Sequence, residues 1–309
     1  MTLGEFYRET YRPVQLVGCS PNTDEQYQIA LMHWVRFAGA VQIDASPQAI
    51  NARLLAKFLG HMVNGRSSVT ANKTLHHLMA IVRGAHRDGV FCGEVPTVPK
   101  LKEPRRLPEA WTVDDVQLIL AEVIKEPGQI DGVPANRWWY SLLLTIYYCG
   151  GRITAVRKTS PQDFLLDQRA IILRAEHQKQ SADQYLHLPD QVVAAVAVIY
   201  SDRRQLVWPW PYHDRTLFKR FARILRRAGV RYGQGRGGLF QKMRRTHASY
   251  VAANGGDATF SLGHSSALVT RKHYLDPRIV GRGQVDRLPR LEVDSPDDDS
   301  RGGNPAWRV

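Results

Sequence analysis

Four side chains in the later two-thirds of the sequence could together hold a phosphodiester and attack it. The segment Leu262-Gly263-His264-Ser265-Ser266 is followed, ten residues after His264, by Tyr274 within Lys272-His273-Tyr274-Leu275-Asp276. Twenty residues before His264 lies Arg244, in Met243-Arg244-Arg245-Thr246-His247, and about ninety before that lies Arg152, in Gly150-Gly151-Arg152-Ile153. A phosphodiester carries one negative charge and its pentavalent transition state carries more. Arginine's planar fork suits the non-bridging oxygens. A phenol can serve as nucleophile and store the cleaved bond as a phosphotyrosine. Donors fixed in advance around the developing charge would supply most of the rate.

Taken singly, each residue has an ordinary explanation. Tyr274 is one of twelve tyrosines and could simply be half-buried. His264 could open a helix, Arg244 and Arg245 could be a solvated pair, and Arg152 could sit at a helix end. His247, His273 and Cys149 read as packing residues. It is the order and spacing of the set that argues for a site.

The rest of the composition fits an anionic partner. The chain has 309 residues, enough for about two domains. Its 43% hydrophobic content provides for real cores. The formal net charge is +13 and the sequence pI about 9.9, a balance that favours polyanions through phosphate neutralisation. The last 19 residues hold five acids and two arginines, so residues 1–290 carry +16. Three scattered cysteines without a CxxC support neither a zinc site nor a disulfide framework. No phosphate-binding loop, dinucleotide fingerprint or metal-spaced cluster is present, so no cofactor is expected. The N-terminus lacks an apolar core typical of signal peptides, and no run approaches the ~18 apolar residues of a span. A cytoplasmic, non-membrane protein is expected.

Periodicity divides the chain. Residues 1–20 read as irregular. A helical domain over 21–95 follows, with helices opening at a Thr23–Gln26 capping box, at Ser46-Pro47 and near Ser68, the last ending at Asp88-Gly89. The third helix carries Lys73, His76, His77, Arg83, His86 and Arg87 on its polar side; Lys73, Arg83 and Arg87 are candidate DNA contacts. Residues 96–109 form a basic, Pro-rich linker expected to be extended and unpacked, with Arg105 and Arg106 as further candidates. A second domain spans 110–283. It opens at the Thr112–Asp115 capping box and continues through a buried helix near 136–148. Strand-like segments follow at Asp163–Leu166, Ala170–Arg174 and Gln184–Leu188, and then more helices. One of these, Asp214–Val230, is rich in arginine. Residues 284–309 form a polar, acidic tail in which Trp307 is a candidate anchor.

At the residues described first, the chain resembles the tyrosine recombinase, or phage integrase, family over roughly residues 110–280. Tyr148-Cys149-Gly150-Gly151-Arg152 is similar to the segment of the first catalytic arginine. Arg244 in Met243–Ser249 is similar to the second, His264 to the histidine turn, and Tyr274 to the nucleophile. Lys179, ten residues before Pro189, resembles the β-hairpin lysine that protonates the leaving 5′ oxygen. The resemblance implies a mainly α fold with a small antiparallel β-sheet. It implies a helical, SAM-like core-binding domain ahead of an α+β catalytic domain, and a duplex clamped through the linker. It further implies a homotetramer on paired sites of double-stranded DNA, with the tail docking on a neighbouring protomer. Accessory DNA-bending proteins are left unspecified. Two positions depart from the pattern. Gln241 stands where the family usually has His or Lys, and Ala155 where it usually has an acid. Glutamine cannot take a proton at neutral pH. The competing readings are a type IB topoisomerase-like DNA relaxing enzyme and a catalytically weakened DNA-binding regulator. If Gln241 merely lacks a base, Gln241→His retains or raises the rate of strand cleavage; a large loss in single-turnover cleavage would show that the amide has a role of its own.

Overall fold

The computed structural model describes residues 1–42, 45–104, 106–233 and 238–281. The chain divides into two compact units, Met1–Arg105 and Arg106–Val309. Candidate residue Arg105 and the expected tail with Trp307 lie outside the described residues.

The first unit is helical. Contrary to the irregular segment expected, its start is a run of short helices: α1 (Leu3–Phe6), a π-type turn over Tyr7–Tyr11 and α2 (Arg12–Gln15). Leu3, Phe6, Tyr7 and Tyr11 are buried in the core of this unit. Helix α3 (Pro21–Ala40) is capped by Ser20, whose hydroxyl accepts from the Thr23 amide. The expected cap at Thr23 is therefore three residues late. Asp24, inside the helix, instead accepts from the Tyr7 hydroxyl and pairs with Arg12 at 2.8 Å. A 3-10 turn over Pro47–Ala49 precedes α4 (Ala52–Val63), so the Ser46-Pro47 start marks that turn and Asn51 is the true cap. Helix α5 (Ser68–Arg87) runs as expected and stops before Gly89, whose φ of 72° is the left-handed conformation that glycine adopts without strain.

The Pro-rich segment after α5 packs more than its composition suggests. Val95, Val98 and Leu101 lie against the first core. Asn72, buried on α5, closes a backbone-like pair with Leu101: its amide donates to the Leu101 carbonyl, and its oxygen accepts from the Leu101 amide, both at 2.9 Å. The same amide reaches Glu103 at 2.7 Å. Extended backbone that uses no helix or sheet ladder is here satisfied by one side chain.

The second unit opens with α6 (Val113–Val123), whose Thr112/Asp115 capping box forms reciprocally. A two-stranded hairpin missed in the periodicity, β1 (Gln129–Ile130) and β2 (Val133–Pro134), leads into α7 (Ala135–Cys149). Helix α7 is apolar nearly all round because it is the centre of the core: Trp138, Trp139, Leu142, Leu143 and Ile146 are fully buried. Its two fully buried hydroxyls are satisfied, Thr145 donating to the Ser141 carbonyl and Ser141 accepting from Trp208. After the short α8 (Ile153–Arg157), strands β3 (Phe164–Leu165), β4 (Ala170–Leu173) and β5 (Gln184–His187) pair antiparallel in that order. Helices α9 (Asp190–Ala197), α10 (Asp214–Arg227) and α11 (Phe240–Ala253) follow. Then come α12 (Ala258–Ser261), α13 (Ala267–His273) and α14 (Pro277–Val280). The mainly α fold with small antiparallel sheets is as expected. Among the described residues, no helix is long and apolar enough to cross a membrane.

Removing the clamp on Leu101 leaves half-buried backbone groups without their partner, so Asn72→Ala lowers stability by about 1 kcal/mol. Hydrogen exchange at the Leu101 amide should accelerate with it; unchanged protection there would show that the segment is held by its apolar contacts alone.

Candidate functional site

Helix α7 ends at Gly150, whose φ of 60° turns the chain into the extended Arg152 and on into α8. A side chain at Gly150 would collide with the His247 ring. That ring is fixed on both sides: Nδ1 meets the Tyr147 carbonyl at 2.8 Å, and Nε2 meets the Ser261 hydroxyl. The close glycine contact thus lets α7 end directly against α11.

Arg244 projects from α11 and is 1% exposed. Its guanidinium donates to the Gly150 carbonyl, to the Leu262 carbonyl at 2.8 Å and to His264 Nε2 at 3.2 Å. Each acceptor is neutral, and neither Arg244 nor Arg152 is in an ion pair among the described residues. Burial and the neighbouring Arg152 charge push the Arg244 pKa down to about 10, which leaves it cationic at neutral pH. Its guanidinium carbon lies 5.5 Å from the Tyr274 ring centroid, and the Tyr274 and His264 rings are 4.5 Å apart.

His264 is a neutral imidazole. Burial, then the charges of Arg244 and Arg152, hold its pKa near about 4. Its tautomer follows from its partners. Arginine can only donate, so Nε2 is the acceptor and Nδ1 carries the proton toward the Thr270 hydroxyl at 2.8 Å. Thr270, 2% exposed on α13, is a second-rank residue that sequence spacing did not single out.

The tyrosine segment is tied to the same helix. Ser249 of α11 donates to the Tyr274 carbonyl at 3.2 Å and accepts from the Asp276 amide at 2.9 Å. Arg245 donates to the His273 carbonyl at 3.2 Å, so it is a backbone brace and not merely a solvated neighbour of Arg244. Asp276 accepts from the Ala110 amide at 2.8 Å. The Trp111 amide donates to Thr246 on α11 at 2.9 Å. Helix α11 therefore carries one arginine of the site and also anchors the segment bearing the tyrosine.

The structure thus brings Arg152, Arg244, His264 and Tyr274 together. Gln241 is half-buried one turn before Arg244 on α11. Ala155 is 2% exposed on α8, which leaves no acid at that position to hold Arg152. The acceptor comes from elsewhere: Gln180 Oε1 receives Arg152 Nη1, and Gln180 Nε2 donates to the Gly263 carbonyl. Nothing in the spacing pointed to Gln180 beyond its place beside Lys179. Lys179 itself is exposed in the β4–β5 connection and is not among the side chains in contact with the other four.

Basic side chains are exposed on each unit. Arg106 lines a cleft with Lys242, Arg245, Lys272 and His273; the last is exposed, not the packing residue expected. On α10, Arg215, Lys219, Arg223 and Arg226 are exposed, whereas Arg220 and Arg227 pair with Glu126. In the first unit Lys73, Arg83 and Arg87 are exposed on α5. His77 drops out of that basic face: its ring packs edge-on against Tyr27 at 4.8 Å, and burial lowers its pKa.

No family model matches the chain. Tyrosine recombinase XerA of Thermococcus kodakarensis (strain ATCC BAA-918 / JCM 12380 / KOD1) is 23% identical over 195 residues, which cover 63% of this chain and 60% of that protein. A lambda integrase (75–356) dimer bound to a COC′ core site superposes with a TM-score of 0.67 at 16% identity, over 95% of this chain and all of that one. The Tn1549 transposon integrase, in complex with a circular intermediate DNA, gives 0.68 at 14% identity over 93% of this chain and all of that one. XerH recombinase bound to a palindromic difH substrate gives 0.67 at 15% identity over 85% and 77%.

His264 and His247 should both leave a mark on stability. His247 is also held near about 4, mainly by burial. Between the unfolded value of 6.5 and about 4 the unfolded chain binds more protons, so stability is complete above pH 6.5 and declines as pH falls toward 4. The slope is at most about 1.4 kcal/mol per pH unit for each fully buried group, and less for the half-exposed His264. Thermal melts from pH 7 to 4.5 should show the decline, and His247→Gln should flatten it; an unaltered slope in that variant would remove His247 as a source. In sequence and in structure the chain is similar to the tyrosine recombinases, and its fold is theirs.

Proposed function

We propose that the chain is a DNA strand transferase that cleaves and rejoins duplex DNA through a 3′-phosphotyrosyl intermediate, as a site-specific recombinase or integrase. The single observation that carries this reading is the packing of Tyr274 against both His264 and the buried, carboxylate-free guanidinium of Arg244. Tyr274 Oη releases its proton to solvent water and attacks phosphorus, the bond to O5′ breaks, and Lys179 supplies the proton that O5′ takes up. Reversal by a 5′-hydroxyl rejoins the strand.

The free-state hydrogen bonds indicate what substrate must change. Both Nη2 protons of Arg244 are engaged, by Leu262 and His264. A phosphate oxygen that takes over the second of these frees His264 Nε2. To donate to the same phosphate, that nitrogen must carry the proton. Thr270 permits the switch, because a hydroxyl can accept from Nδ1–H in one tautomer and donate to bare Nδ1 in the other. Arg152 contributes its remaining donors.

Duplex DNA as partner accords with the charge of +13 and with the DNA-bound state of the integrases and XerH that share the fold. Lys73, Arg83, Arg87 and Arg106 are the proposed backbone contacts. A homotetramer on paired sites accords with the lambda integrase tetramer bound to a Holliday junction, which superposes with a TM-score of 0.61 at 15% identity.

A nicked suicide duplex tests the chemistry. The scissile strand is placed so that a short 5′-hydroxyl fragment diffuses away and traps the adduct. The expected result is a covalent protein–DNA species mapped to Tyr274 and absent from Tyr274→Phe. No adduct from the unaltered chain, or one that persists in Tyr274→Phe, removes the assignment and leaves the DNA-binding regulator. Turnover that needs only one site, with relaxation and no exchange, would identify a topoisomerase-like enzyme instead.

A further inference from the structure

The β4–β5 connection, residues 174–183, is built to hold Lys179 between two anchored glutamines. On one side Gln178 is 7% exposed, and its amide donates to the carbonyls of Leu173 and Ala182, each at 3.2 Å. This closes the connection on itself. Asp183 reinforces the closure by accepting from the Ala175 amide at 2.7 Å and from Arg174 at 3.0 Å. On the other side Gln180 bridges two separate pieces of the site, as acceptor from Arg152 and as donor to the Gly263 carbonyl. Because one partner can only donate and the other can only accept, the orientation of the Gln180 amide is fixed. Gly263 itself has a φ of 61°, and a side chain there would run into Gln184 of β5. The glycine thus lets the His264 turn sit directly on the β5 end of the same connection.

We propose that Gln180 is a positioning residue that stands in for the acid absent at Ala155 and docks the Lys179-bearing connection against Arg152 and the Gly263–His264 turn. The proposal rests on the strand-transfer reading above. A carboxylate in contact with Arg152 would cancel part of the charge meant for phosphate. The neutral amide holds the guanidinium in place and leaves that charge intact. It also joins three chain segments, so that the proton donor, one phosphate-binding arginine and the histidine turn are placed by a single side chain. Lys179 is exposed and has four rotatable bonds, so its reach to O5′ is limited by where its backbone is held. Misplacing a catalytic group by about an ångström costs on the order of 100-fold.

The test compares leaving groups. When Tyr274 Oη bonds to phosphorus, O5′ departs and takes a proton from Lys179. A substrate with sulfur in place of O5′ departs as a stable thiolate and needs no such proton. Single-turnover cleavage of matched 5′-oxygen and 5′-sulfur nicked duplexes is measured for the unaltered chain, Gln180→Ala, Gln180→Glu and, as reference, Lys179→Ala. With oxygen, Gln180→Ala should cleave about 10- to 100-fold more slowly while binding the duplex within about threefold. With sulfur, its deficit should shrink by about tenfold, as that of Lys179→Ala should. Gln180→Glu keeps an acceptor for Arg152 but loses the donor to Gly263, and should fall between. It carries the same comparison if Gln180→Ala does not fold. A deficit equal on the two substrates in both variants would overturn the docking of Lys179, because general loosening of the site slows both alike. Unaltered rates would overturn the positioning role altogether. An unaltered chain that forms no adduct on either substrate overturns the strand-transfer reading itself, an outcome distinct from either.

Discussion

The buried guanidinium of Arg244 is the interaction on which the rest of the site depends. Taking a cation out of water is costly unless its donors are satisfied. Here the compensation comes from two backbone carbonyls, Gly150 and Leu262, and one imidazole nitrogen. Those acceptors belong to the ends of α7 and α12 and to the His264 turn. One side chain of α11 therefore draws the end of α7 and the Leu262–His264 turn together. The left-handed Gly150 and the His247 ring packed on it are the local conditions that let the α7 end come close enough.

A second constraint is electrical. Several other arginines of the second unit are neutralised: Arg227 by Glu122 and Glu126, Arg174 by Asp163 and Asp183, Arg157 by Asp214. At the site the partners of Arg152 and Arg244 are amides, carbonyls and a neutral histidine. The two positive charges are left uncompensated at close range. After burial, the Arg152 charge lowers the basicity of Arg244, and both charges lower that of His264. Such an arrangement is unfavourable until an anion arrives, and the same property makes it selective for one. Ala155 belongs to this pattern, since it contributes no counter-charge where an acid would.

Much of this was legible in the sequence for definite reasons. The spacing of Arg244, His264 and Tyr274 is short enough to be carried by local helices and turns, so the residue order reports the site almost directly. Helix α5 and the Thr112 capping box followed from caps and periodicity. The failures were equally physical. Residues 1–20 looked irregular because their helices are short and interrupted by a π-type turn, and their order depends on burying Leu3, Phe6, Tyr7 and Tyr11 in the unit's core. The Pro-rich segment looked unpacked because a single buried asparagine, 29 residues from Leu101 in the chain, supplies its hydrogen bonds. His77 read as part of a charged face until Tyr27 of α3 was found against it.

By itself the sequence determined which chemistry is available: two arginines, a histidine and a tyrosine in a fixed order on a basic chain, with no acid at 155 and no base at 241. Helix periods and caps determined most of the elements that carry them, because those signals span only three or four residues. Only the tertiary structure decided what surrounds each group. That Gln180 holds Arg152, that Arg244 sets the tautomer of His264, and that Ser249 anchors the Tyr274 backbone are contacts between residues 20 to 28 positions apart. Each joins residues that no local rule pairs. They exist because burying Arg244 forces distant segments to converge on its donors, and that convergence is a property of the packed core, not of any stretch of chain.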